Sequence, residues 1–341
     1  MIGAMSTPAA SPTRRRLTAL GLAAVFFASA VAMGSGGTFA NPDRWSYEWP
    51  QTDFSMTSVG FDEIRSGGPP KDGIPSIDNP VFKTVAEVTD LSATEPVIGL
   101  SINGDARAYP LRILTWHEIV NDTVGGVPVS VTYCPLCNSA VVFERTVAGE
   151  VTEFGTTGKL RNSDLVMYDR TTESWWQQFL GEAIVGERTG TRLTIVPARL
   201  ESWERFAARF PEGQVLIPNN PGLRPYGANP YVGYDSAFEP FLYDGEMPEG
   251  IEPMQRVVAV GDKAWSLALL REKGTIEDGD LVLSWEPGQA SALDTRAIDQ
   301  GRDVGNVTVQ RAAAEGMVDV AYDVTFAFVF HAFRPESQIV K

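Results

Sequence analysis

The sequence predicts an α+β fold, mostly β, made of two tandem related β-rich halves with short helices and one site in the first half. Three observations predict it. Short β-branched and aromatic runs alternate with Gly, Pro and Asn-Gly punctuation from residue 96 onward. Helical patterning is confined to brief stretches. Segments of the first half also lie, in the same order, on segments of the C-terminal third.

The chain opens on a leader. "TRRRLTALGLAAVFFASAVAMGSGGTFA" joins Arg14, Arg15 and Arg16 to an apolar stretch and then to small residues ending at Ala40. This is the layout of a secretory signal peptide over residues 1–40. Its Thr-Arg-Arg-Arg-Leu start also resembles a twin-arginine export signal. The expected protein is exported, periplasmic or extracellular, with no membrane span in the mature chain. Removing the leader takes away three arginines and no acids, so the formal charge moves from −15 to −18. Such a surface repels nucleic acid and anionic lipid. Two cysteines supply no disulfide framework.

Residues 41–95 contain "RSGGPPKDGIPSIDNPVF" and read as an extended Pro/Gly-rich arm wrapping a core. The first half, 96–217, starts as strand, Asn-Gly-Asp turn, strand and a short helix from about Leu111 to Val120. A hairpin turn at Gly125-Gly126 leads into "VPVSVTY", and "SAVVFER" forms the next strand. "LESWERFAARF" (200–210) predicts an amphipathic helix closed by Pro211 and Gly213. An aromatic, Pro-rich connection fills 218–254, and a degenerate second half fills 255–341. There "KAWSLALLREKGTIED" (263–278) lies without gaps on "RAYPLRILTWHEIVND" (107–122). "WEPGQASA" (285–292) lies on "YCPLCNSA" (133–140), and "YDVTFAFVFHAF" (322–333) on "YDRTTESWWQQF" (168–179).

The chemistry concentrates in "VTYCPLCNSAVV". A Cys134–Cys137 disulfide would close a tiny, strained loop. A thioredoxin-type pair needs its first Cys at a helix N-terminus, whereas Pro135 follows Cys134 and a β-rich run follows Cys137. A Cys-Pro-x-Cys turn between strands can instead aim two thiolates at one ion. His117 shares a helix face with Ile113, Leu114 and Val120, so it points inward as a third ligand or as a core histidine. For the fourth position Met167 suits copper, and Asp164 or Asp169 suits zinc; His331 is the only other histidine. The expected metal set is Cys134, Cys137, His117 and Met167, holding copper or zinc. Opposite Cys134, Cys137, His117 and Met167 the second half carries Glu286, Gln289, Lys273 and Ala321, which is what a single asymmetric site, or loss at four unconstrained positions, would leave behind.

The expected function is an exported metal-binding protein, acting as carrier, redox centre or metal-dependent enzyme, with a metal donor or redox protein as partner. One alternative is a non-catalytic binding module whose cysteines are merely buried and whose Tyr226, Tyr231, Tyr234 and Tyr243 hold a glycan or partner. A thiol oxidoreductase is the third reading. The sequence contains no G-x-S-x-G, Walker A, GxGxxG or H-E-x-x-H motif, and no catalytic residue is assigned.

The segments "GGPPKDGIPSIDNPVF", "HEIVNDTVGGVPVSVTYCPLCNSAVVFER", "LRNSDLVMYDRTTESWW" and "FAFVFHAFRPES" resemble a family of exported bacterial and archaeal proteins, domain of unknown function 3179. The resemblance implies a shared fold and a shared site around Cys134 and Cys137. His331 departs from the family pattern.

Overall fold

Antiparallel strands joined by tight turns dominate the computed structural model, which describes Met1 and residues 42–341 except Glu315. The expected leader over 1–40 lies outside the described residues. Strand accounts for 40% and helix for 15%, so the mostly-β reading holds. Every α-helix among the described residues is seven residues long, too short to persist without packing against a sheet. No helix among the described residues is long and apolar enough to cross a membrane.

The strands build five sheets of four or five strands each, the number and size of blades in a five-bladed propeller, plus one two-stranded ribbon. This corrects the expected two-half architecture. The first sheet runs Arg199–Ser202, Pro96–Ile102, Asp105–Pro110, Gln214–Ile217 and Val81–Thr84 in space. The second runs Ile195–Val196, Ser139–Glu144, Val127–Cys134 and Ile119–Val124. The third runs Ile64–Ser66, Phe154–Arg161, Asp164–Asp169, Trp175–Gln177 and Glu182–Val185. In the fourth, Asp323–Phe326 precedes Arg256–Val260, Lys263–Ser266 and Gln338–Val340; the fifth spans residues 275–319.

Particular segments show why two halves do not describe the chain. Residues 107–122 and 263–278 both fold as strand, helix and strand. The first and fourth sheets each contain one parallel pairing, to a strand that follows a helix: Gln214–Ile217 on Asp105–Pro110 and Gln338–Val340 on Lys263–Ser266. The third alignment fails, because 168–179 supplies strands of the third sheet whereas 322–333 is a strand followed by helix Ala327–Phe333. That third sheet has no counterpart among the described residues of the C-terminal third.

Two helix ends also move. The first helix stops at His117, because Glu118 takes φ 58° and turns the chain into Ile119–Val124. The helix expected over 200–210 covers Trp203–Arg209, since residues 199–202 pair with Pro96–Gly99. Residues 42–95 dock by contributing strands. Ile64–Ser66 pairs with Lys159–Arg161, and Val81–Thr84 with Gln214–Ile217. Trp49 is fully buried, edge-on to Trp175 and Tyr168. A separate apolar cluster combines Cys134, Cys137, Met167 and Trp176 with Phe326 and Phe328.

Candidate functional site

Cys134 ends one strand, and Ser139 opposite it opens the next. The reversal between them is held by Cys137 N–H donating to Cys134 O (3.2 Å) and Asn138 N–H donating to Pro135 O (3.2 Å). Pro135 fixes its own φ, and Asn138 accepts the left-handed conformation (φ 50°) that most side chains resist. The fourth sheet clamps this turn from outside. Asn138 Nδ2 donates to Val324 O (2.7 Å), while Cys137 O accepts from Thr325 Oγ1 (2.8 Å) and Phe326 N (3.2 Å).

Asp164 reaches the same point from the third sheet. It follows a tight turn whose residues Asn162 and Ser163 both have positive φ. The two sulfurs and a carboxylate oxygen of Asp164 lie within 4.8 Å of one another, and all three residues are buried. Asp164 Oδ2 accepts from Gln177 Nε2 (2.6 Å) and Phe179 N (2.9 Å), whereas Oδ1 meets no N–H or O–H donor among the described residues and the carboxylate has both thiols beside it. Both cysteines are free thiols.

Glu118, outside that 4.8 Å set but close enough to feel the charge of Asp164, is a second buried carboxyl that the sequence did not single out. It is 7% exposed, and its carboxyl makes no hydrogen bond among the described residues. Burial, and then the charge of Asp164, push that carboxyl up to about 8. Its signal in the sequence is an acid placed between a helix end and a β-branched run, where the chain must enter the core. Burial also pushes Asp164 up to about 6 and raises both thiols, Cys137 the more strongly. At neutral pH the two thiols and Glu118 are therefore protonated, whereas Asp164 is largely ionised. A bound cation would reverse that preference by favouring the anionic forms.

Of the other expected ligands, Met167 packs in the cluster of the thiols and His117 makes its bonds elsewhere. His117 is not brought to the thiols: Nδ1 lies 2.8 Å from Pro75 O and Nε2 2.8 Å from Tyr226 OH, with the ring stacked on Tyr226. Because Pro75 O can only accept, Nδ1 carries the proton and Nε2 accepts from the tyrosine. Burial lowers the pKa of the ring and keeps it neutral. Met167 lies in the apolar cluster that contains the thiols, opposite Thr156 and Trp176 in its sheet. Asp169 is occupied by Trp176 Nε1 and Thr172. His331 sits on helix Ala327–Phe333. Tyr231, Tyr234 and Tyr243 of the connection pack against the cluster that contains the thiols.

Fold and site together define a class: a five-sheet β protein with one enclosed thiol–carboxylate centre. The chain belongs to the family described as protein of unknown function DUF3179, whose model matches residues 71–337 and so spans the whole centre. No curated protein and no solved structure matches the chain.

Proposed function

We propose that this is an exported metal-binding protein in which Cys134, Cys137 and Asp164 hold one zinc ion, with Glu118 reaching the fourth position by side-chain rotation. The carrying observation is the convergence of three buried donor atoms within 4.8 Å. Zinc bonds of about 2.3 Å to sulfur and 2.0–2.2 Å to oxygen need only a small contraction of such a set. Asp164 Oδ1 receives no N–H or O–H donor among the described residues and the carboxylate meets only the thiols on that side, so an ion that displaces the thiol protons would bind there. Two thiolates with a carboxylate suit a borderline ion, whereas soft copper(I) would gain little from the carboxylate. His117, committed to Pro75 and Tyr226, withdraws the imidazole on which a copper centre would draw. Enclosure favours a structural or storage site over one that exchanges metal rapidly. The basic-then-apolar leader supports export.

Thiol oxidoreduction is the less favoured reading. Neither cysteine begins a helix, and burial disfavours the thiolate that would attack. At the aligned position in the C-terminal third, Glu286 pairs with Arg205 near the surface, which supports a single centre.

Elemental analysis of the mature protein tests the proposal. One zinc per chain is expected, lost in Cys134→Ser and weakened in Asp164→Asn, with sulfur and oxygen neighbours in X-ray absorption. A folded, metal-free protein whose two thiols titrate freely and that takes up no zinc would refute it.

A further inference from the structure

Away from the thiol centre, a cleft of about 450 Å³ opens between the connection, helix Leu267–Lys273 and the segment around Arg302. Its charged groups are three arginines and three acids, formally balanced, but their hydrogen bonding is not. Asp235 is fully buried, and both of its oxygens are taken, by Arg256 Nη2 (3.1 Å), Ser291 Oγ and Arg302 Nη1 (2.9 Å). The Asp303 carboxylate is likewise filled by the backbone N–H groups of Gly288, Gln289 and Gly305. The third acid, Glu252, is exposed and pairs with no cation among the described residues, so it is in the buried part of the cleft that donors are in surplus. The Arg256 side chain is 7% exposed, and its buried Nε has no partner. Nη1 of the same guanidinium makes no hydrogen bond to the described residues; the two bonds of that side chain both leave from Nη2. Arg271, at the rim, lies over the Trp285 ring (5.3 Å) and pairs with no carboxylate among the described residues. A guanidinium carries five N–H donors and accepts nothing. A nearly buried one with idle donors is therefore a waiting half of a charge-assisted pair. Met254, Leu267 and Val304 give the same cleft an apolar wall.

We infer that this cleft is a binding site for a small oxyanion-bearing ligand, its carboxylate or phosphate received by Arg256 and Arg271 and its apolar part lying against Met254 and Leu267. The inference stands on the cleft alone and does not depend on metal at Cys134 and Cys137.

Calorimetric titration of the full mature chain with hexanoate, inorganic phosphate and neutral hexanamide tests it. At least one anion is expected to bind at millimolar concentrations, and hexanamide not. Tighter binding of hexanoate would assign an organic acid, and tighter binding of phosphate a phosphorylated ligand. Arg271→Gln, a rim change that spares the buried Asp235 network, should weaken the anion about tenfold or more. Ala268→Trp, at an exposed position on the rim, should close the cleft and abolish binding with the melting temperature unchanged. The inference is overturned if neither anion binds the wild-type chain, if hexanamide binds as well as hexanoate, or if both variants bind unchanged.

Discussion

Asp323 carries a buried charge that the fold tolerates without needing. Its Oδ1 accepts from Ala140 N (2.9 Å), Ser139 is its side-chain neighbour, and burial pushes the carboxyl up to about 6. An acid whose folded pKa exceeds its unfolded value stabilises the protein fully below the unfolded value, and that contribution disappears as pH rises through the folded one. Here the loss falls between about 4 and about 6 and amounts to about 3 kcal/mol. Asp323→Asn keeps the acceptor for Ala140 and removes the charge. After the cost of its own unpaired N–H groups, it should be about 1–2 kcal/mol more stable than wild type at pH 8. The advantage should vanish by pH 4, which denaturant melts at the two pH values would show. The same accounting separates ligands from bystanders at the thiol centre. His117→Ala should leave zinc stoichiometry intact and lower only the melting temperature, because both ring nitrogens serve Pro75 and Tyr226. Glu118→Gln should weaken zinc at least tenfold in a chelator competition. An unchanged affinity would remove Glu118 from the metal shell.

At the scale of elements, the arm shows how one residue type lets two segments approach. Strand Phe154–Arg161 shifts register between Thr156 and Lys159, and Gly158 sits in that irregularity at φ 69°. A Cβ there would fall 1.9 Å from Pro69 O, and Gly158 O already accepts from Gly67 N (2.8 Å). Gly158→Ala should therefore cost about 3 kcal/mol or more, combining left-handed strain with a backbone clash. Gly149, at φ 84° with open space around it, should cost about 1 kcal/mol when changed to Ala. Chemical denaturation of the two variants measures the difference. Local elements such as these were legible in the sequence. The Asn103-Gly104 and Gly125-Gly126 turns lie where the dipeptides put them, and Cys134 and Cys137 flank a strand-to-strand bend. Periodicity also put His117 inside, but a helix face names a direction and not a neighbour. Glu118, in a left-handed conformation one residue on, sends the chain toward the thiols while the imidazole turns to Pro75. Asp164, thirty positions beyond Cys134, was one of several acids that the sequence offered. Asp164 and Asp169 open and close the same strand, and only the fold shows that the Asp164 end meets the cysteine turn.

Across the whole molecule, sheets distant in sequence are tied to one another by hydrogen bonds. Strand Asp323–Phe326 belongs to the fourth sheet yet binds the cysteine turn of the second, through Ala140, Asn138 and Cys137. The first and fifth sheets are joined in the same manner. Ser202 N donates to Asn306 Oδ1 (2.7 Å), Ala290 N to Thr94 O (2.8 Å), and Arg199 forms a bidentate pair with Asp319. A chain laced in this way has no half that can keep its structure when the other is lost. Calorimetry of residues 42–341 should show one transition whose van't Hoff and calorimetric enthalpies agree. A fragment ending at residue 254 provides the sharper measurement. It retains Cys134, Cys137, Asp164 and Glu118, but Cys137 O and Asn138 Nδ2 lose their partners on Thr325, Phe326 and Val324. Stranding such buried groups costs about 1–3 kcal/mol each, and the apolar cluster around the sulfurs loses Phe326 and Phe328. The fragment should neither melt cooperatively nor take up one zinc. If it does both, the centre depends only on the sheets that carry its ligands.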